Sequence, residues 1–196
     1  MPKERQGRPR DSQIDHTVIE TVRELLAESG YERLNIDAVA ARAKVGKAAI
    51  YRRYASKAEL AFAATVHDVD DLPPPADTGS LRGDLLVIAH RVWRRMNDPA
   101  ARQVGPAIIA ELSRSPGLAA RFQQGLLAAE RQSYATVLNR AADRGELTGP
   151  VDPELVHLLV SGPIFFSAYG YRIPVDDERL EAIATTVALG LTGTTR

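Results

Sequence analysis

The chain has 196 residues, 44% of them apolar and 26% charged, so it is long enough for a small domain joined to a larger one and too apolar to stay disordered. It has no cysteine, which excludes disulfides, thiolate catalysis and cysteine-ligated zinc. The formal net charge is zero but unevenly spread: residues 1–57 hold 12 Lys/Arg against 8 Asp/Glu, and the remainder holds 13 against 17, so only the head is suited to a polyanion.

The opening "MPKERQGRPR" has no apolar core, so no secretory signal is expected. The longest apolar run, residues 155–168, is interrupted by Ser161, Gly162 and Pro163 and falls short of the roughly 20 residues of a membrane helix. A cytoplasmic location and no membrane partner are the expectation. Helical periodicity runs throughout, without a convincing alternating strand, which predicts an all-α fold of about nine helices.

Residues 1–10 read as a flexible basic arm. Asp11 or Ser12 can cap a first helix carrying Ile14, Val18, Val22, Leu25 and Leu26, and Gly30 ends it. Asn35 caps a short second helix with Ile36, Val39, Ala40 and Ala43 inward. "AKVG" breaks the chain and Lys47 to Tyr54 forms a third helix. Ser56 and Glu59 make the capping box of a fourth. "DDLPPPADTGS", Asp71 to Ser80, is the clearest linker, because its prolines and glycine cannot continue a helix. Ser80 starts the next helix, "NDPA" ends it, and a further helix runs to "RSPG". Pro116 heads a long helix reaching about Arg144. Glu154 to Tyr171 is nearly apolar all round, with a kink expected at Gly162–Pro163, and Asp176 to Leu191 is amphipathic.

The stretch "VGKAAIYRRYASKAEL", Val45 to Leu60, carries the chemistry. Two short helices joined by a tight turn, the second bearing cations, form a helix-turn-helix whose second helix fits the DNA major groove. Ala48 and Ala49 let the backbone approach the DNA, where a methyl can meet a thymine methyl. Lys47, Arg52 and Lys57 reach for phosphates or base acceptors. Tyr51 and Tyr54 combine an apolar body with a hydroxyl tip. "LNIDAVAARAKVGKAAIYRRYASKAEL", Leu34 to Leu60, resembles the TetR family of bacterial transcriptional regulators, and the likeness extends over Asp11 to Leu60. It departs from the family at Lys44, where glycine is usual, and at Gly46, where serine or threonine is usual. Lys44 is thus expected in a left-handed conformation, and Gly46 supplies no capping oxygen.

The resemblance implies a homodimer that binds a palindromic double-stranded operator and releases it on taking up a small-molecule effector of unknown identity. Residues 11–60 then form the DNA-binding domain and residues 61–196 the effector-binding and dimerisation domain. The arm, through Arg8 and Arg10, is placed to reach the minor groove. Trp93, Met96, Phe122, Tyr134, Phe165 and Tyr169 are the candidate pocket lining, which favours a largely apolar effector, with Gln123 and the tyrosine hydroxyls among the few polar groups. Leu155, Leu158, Leu159 and Phe166, with Leu180, Ile183, Val187 and Leu191 of the last helix, are the candidate dimer interface. No cofactor or metal is expected. Two other readings remain: a DNA-binding regulator without a ligand, and a metal-dependent enzyme using "HDVDD", His67 to Asp71, where neighbouring helical positions point to different sides.

Overall fold

A computed structural model describes residues 9–66 and 73–193. The described residues form ten α-helices: α1 (Pro9–Arg33), α2 (Ile36–Ala43), α3 (Lys47–Tyr51), α4 (Lys57–Val66), α5 (Leu81–Met96), α6 (Pro99–Leu112), α7 (Pro116–Phe122), α8 (Ala128–Asp143), α9 (Pro153–Phe165) and α10 (Asp177–Thr192). A π-helical segment, Gln123–Leu127, joins α7 to α8, and a second, Phe166–Tyr171, prolongs α9. Counted as continuous rods, these are the nine helices expected. The stretch His67–Asp71 lies outside the described residues, as does Arg8; Arg10 falls in the first turn of α1.

The local signals act as their chemistry requires. The Asn35 side chain accepts the Ala38 N–H at 2.8 Å, capping α2. Lys44 is left-handed, φ 54°, and its N–H returns to Ala40 O, while Gly46 caps α3 without a side-chain bond. Ser56 Oγ accepts the Glu59 N–H at 3.1 Å, and the Glu59 carboxylate accepts the Ala55 N–H at 2.7 Å. Ser80 caps α5 by accepting the Gly83 N–H.

Gly30 interrupts α1 with φ 75°, ψ 172°, a region almost reserved for glycine. A Cβ there would lie 2.8 Å from Gln103 Oε1, the same oxygen that accepts the Tyr31 N–H at 3.1 Å. The end of α1 is thereby seated on α6. Gly30→Ala should cost about 2 kcal/mol and lower Tm by about 4–8 °C; a thermal melt indistinguishable from wild type would rule out strain at this turn.

The core is split in two. The first cluster combines α1 to α4 with Val104 and Ile108 of α6 and Leu118 of α7. The second combines α5, α8, α9 and α10 around Leu85, Tyr134, Val160, Ile164 and Leu180. Packing therefore groups α6 and α7 with the helix-turn-helix rather than with the rest of the body. This follows from where apolar side chains point: Leu60, Ala61 and Phe62 of α4 are all buried, and α4 packs against both α1 and α6.

The linker is held rather than loose along Pro73–Ser80. Arg140 Nη1 donates to Pro75 O at 2.8 Å, and Arg144 pairs with Asp77, Asp84 and Glu146. Asp84 is fully buried and also accepts the amide and the hydroxyl of Thr78, both at 2.7 Å. Glu146 in turn accepts the first N–H of α5 at Leu81, 2.8 Å away. The turn at residues 144–147, "RGEL", is thus the anchor of the linker.

One set of expectations needs correction. Leu180 and Val187 are buried within the chain, where α10 packs on α5, and so are not free to face a partner. An amphipathic stripe reveals that a face is covered, not what covers it. Ile183 and Leu191 are half-buried against the same core. Leu155, Leu158, Leu159 and Phe166 are exposed, as is Leu189, at 46–60% exposure.

Candidate functional site

On α3, Ile50 is inserted into the first core and fixes which side of the helix faces out. Lys47, Ala48, Tyr51 and Arg52 are exposed together, while Ala49 is half-buried. Lys47 Nζ lies 2.7 Å from Asp37 Oδ1, an exposed pair that water and salt screen and that a phosphate can replace. Tyr54 instead packs half-buried against the core, and burial, reinforced by the charge of Asp15, raises its pKa. Lys57 has local partners: its ammonium donates to Tyr31 O at 3.0 Å and Glu32 O at 3.3 Å, above the Tyr31 ring. It binds the carbonyl end of α1 to the start of α4, and retains one donor for another acceptor.

The end of this unit is tied to the body by residues to which the sequence assigns no such task. Arg53 Nε reaches Asp15 Oδ1 at 2.5 Å and its Nη1 donates to Ala49 O. Arg121, at the end of α7, donates to Arg53 O at 2.6 Å and pairs with the buried carboxylate of Glu59. The next residue, Phe122, packs against Phe62 of α4, the rings tilted by 42° with centroids 5.4 Å apart.

Beneath this junction lies a cavity of about 450 Å³, between the two cores. It is walled by Phe62 and Val66 of α4, Met96 of α5, Val104 and Ile108 of α6, Phe122 of α7, and Phe165, Phe166 and Tyr169 around the second π segment. Both π segments border it, through Leu126 and Leu127 on one side and Phe166 and Tyr169 on the other. Pro163 sits inside α9 and cannot donate a helical bond, and the widened turns follow directly after it. Gly105 allows α6 to meet the Tyr169 ring, where a Cβ would lie 2.5 Å from Cε1. The Tyr169 hydroxyl points at the carbonyls of Met96 and Ala101.

Of the six residues expected to line a pocket, Met96, Phe122, Phe165 and Tyr169 meet here. Trp93 does not; it packs against the second core from the neighbouring face of α5. Tyr134 is fully buried, its hydroxyl 3.0 Å from Ser161 Oγ, and burial raises its pKa to about 12. Gln123 is exposed. The polar wall comes instead from Arg95, Glu130, His157 and Ser161. Glu130 pairs with Arg95, and His157 Nε2 is 2.6 Å from its second oxygen. Arg95, Glu130 and the His157–Ser161 pair come from three different helices, so no spacing rule within one helix would have joined them.

Among the described residues no helix is long and apolar enough to cross a membrane. Residues 18–64 match the family model of bacterial regulatory proteins, tetR family, and residues 75–187 match that of the tetracyclin repressor-like C-terminal domain. The chain is 37% identical over 166 residues to the HTH-type transcriptional regulator Rv1556 of Mycobacterium tuberculosis, covering 84% of this chain and 81% of that protein. It is 33% identical over 135 residues to the DNA-binding transcriptional repressor TetR of Mycobacteroides abscessus, covering 68% and 70%. The crystal structure of the TetR family transcription regulator SCO0332 superposes with a TM-score of 0.76 at 26% identity, covering 91% of this chain and 98% of that one. With its helix-turn-helix and its helical body both matched, the chain belongs to the TetR family of DNA-binding transcriptional regulators.

Proposed function

We propose that this regulator is a homodimeric repressor that reads a palindromic operator with α3 and leaves it when a small effector with an apolar body enters the cavity between the two cores. The observation that carries the reading is the place of that cavity. Its walls include Phe62 and Val66 of α4 and Phe122 of α7, one residue from the Arg121 contact to the recognition unit. A ligand that parts these walls acts on the orientation of α3 without touching it. It shifts the equilibrium only by its difference in affinity for the DNA-binding and released geometries. A tenfold loss of operator affinity needs about 1.4 kcal/mol of such difference.

The two-fold partner would sit on Leu155, Leu158, Leu159, Phe166 and Leu189, exposed apolar residues of α9, its π extension and α10. Leu158 and Phe166 also belong to the cavity wall, so a partner seated there would cover its mouth. Selection of bound DNA from a random pool tests the reading directly. The expected product is a palindrome with half-sites about one helical turn apart; an asymmetric site, or no enrichment, would count against it.

Within that site, Lys47, Ala48, Tyr51 and Arg52 are the proposed base- and phosphate-facing residues, joined by Ala49 and Tyr54 at the edge, by Arg8 of the arm and by Arg10 at the start of α1. Arg52→Ala should weaken the selected operator by roughly 1–3 kcal/mol and relax preference at one position if the guanidinium reads guanine. Lys57→Ala should reduce the salt slope of binding by about one and also lower the melting temperature, because the carbonyls of Tyr31 and Glu32 lose their shared donor. Salt-dependent binding isotherms for the two variants separate a specificity contact from an electrostatic one.

A further inference from the structure

The larger cavity ends at the Arg95–Glu130 pair, and a second cavity of about 260 Å³ begins on the other side of it. Arg95 and Glu130 line both. The second cavity is walled by Pro74 and Pro75 of the linker, Arg91 of α5, and Gln132, Ser133 and Thr136 of α8. Arg91 stands one helical turn before Arg95 and lines the second cavity with Arg95 and Glu130, so two guanidinium groups and one carboxylate border it. Nη1 of Arg91 is buried and has no hydrogen-bond partner among the described residues; Glu130 Oε1 is buried too and makes no hydrogen bond, but it faces the Arg95 guanidinium as an ion pair, whereas Arg91 Nη1 faces no anion among them. The partition between the cavities therefore holds more positive charge than its own carboxylate balances. His157 adds no second anion, and the other nearby acid, Glu154, is exposed and paired with Arg131.

A buried, unsatisfied guanidinium donor is costly unless something supplies the missing acceptor. Burial lowers the pKa of Arg91, helped by Arg94, and lowers that of Arg95 to about 10, as expected for cations short of compensating charge. A carboxylate fits the planar fork of arginine better than any neutral acceptor does. On the large side of the partition the walls are almost wholly apolar, and 450 Å³ holds about 15 groups of the size of a water molecule at roughly 30 Å³ each.

We propose that the effector is an amphipathic organic acid, its apolar body in the larger cavity and its carboxylate accepting from Arg91 Nη1 and from Arg95 at the partition. Glu130 keeps its contact with Arg95, and the added anion brings the cluster of two arginines and one glutamate to neutrality. The proposal rests on reading the larger cavity as the effector site, and its test separates the two ideas.

Straight-chain acids of about six to fourteen carbons are titrated against the full-length protein, followed by calorimetry and by operator release. Decanol, decylamine and decyl phosphate provide the same body with other head groups. Decanoate should bind at least ten times more tightly than decanol, and decylamine should not compete. Arg91→Gln should reduce the acid's affinity about tenfold and leave that of decanol in place, with a circular dichroism melt no lower than that of wild type certifying the fold. Ile108→Trp, which fills the larger cavity, should abolish binding of acid and alcohol alike. Equal affinity of acid and alcohol, tighter binding of the alkyl phosphate, or an Arg91→Gln variant that binds the acid normally each overturns the carboxylate site. Absence of binding by every acid in the series does so as well. If the acid binds the Ile108→Trp variant as it binds wild type, the cavity itself is not the effector site.

Discussion

Replacing Asp84 by alanine should destabilise the chain by about 3 kcal/mol, a fall in Tm of about 6–12 °C. The carboxylate is fully buried, and three donors converge on it: the Thr78 amide, the Thr78 hydroxyl and the Arg144 guanidinium. The variant leaves the Thr78 amide without its acceptor and removes one of three acidic partners of Arg144. Asp84→Asn keeps an acceptor and should fall between alanine and wild type. The contribution also depends on pH. Burial disfavours the ionised carboxylate, but the bonds from Thr78 and the charge of Arg144 outweigh it and hold the pKa below its ordinary value. The unfolded chain then takes up the proton more readily than the folded one. The stabilisation is complete above the ordinary carboxylate pKa of about 4 and is lost as pH falls through the lower folded value. Denaturation of wild type and Asp84→Ala should therefore converge on acidification, and a gap that stayed constant from about pH 7 to about pH 2 would mean that Asp84 contributes by shape alone.

Leu159→Glu should break the proposed dimer. Leu159 is 46% exposed, lies within the apolar stripe of α9, and borders neither cavity, so the substitution spares the effector site. A two-fold interface receives the change twice, and desolvating two carboxylates costs about 4 kcal/mol in all. That is a thousandfold in the dimer Kd, about 1.4 kcal/mol for each factor of ten. Analytical ultracentrifugation at micromolar concentration should find monomer, and the operator affinity should fall with it. A variant that still sediments as a dimer would move the interface elsewhere on the surface.

Much of this was readable in the residues, for reasons that are local. Asn35, Ser56 and Ser80 cap helices because their oxygens lie within three residues of the amides they satisfy. Lys44 is left-handed because the chain must turn there whichever side chain occupies the position. Met96, Phe122, Phe165 and Tyr169 could be nominated as pocket residues because large apolar side chains on bundled helices must face something. What stayed hidden depends on which helix meets which. Leu180 and Val187 form a stripe that would suit a partner chain equally well, and only the packing of α10 on α5 turns it inward. Arg95, Glu130 and His157 are separated by 27 residues or more in the chain and become one cluster only when α5, α8 and α9 converge. Arg121 pairs with Glu59 of another helix, and nothing within its own helix indicates that neighbour.

The sharing of one core between α1–α4 and the α6–α7 pair limits how the family's two functions can be recombined. A fragment ending at Val66 would leave behind Val104, Ile108 and Leu118, each no more than 4% exposed, and open their seats on the DNA-reading unit to water. That unit is therefore not a cassette that can be cut at the linker and grafted onto a different sensor. A functional chimera would have to carry residues 9–66 and 99–127 together, two segments separated in the gene by the whole of α5. Drift in operator preference along α3 is little constrained by packing, because its exposed residues make only the screened Lys47–Asp37 pair. Drift on the faces of α1 and α4 that meet α6 and α7 has to be matched on both sides, so exchange between distant relatives is penalised there even where every operator-contacting residue is retained.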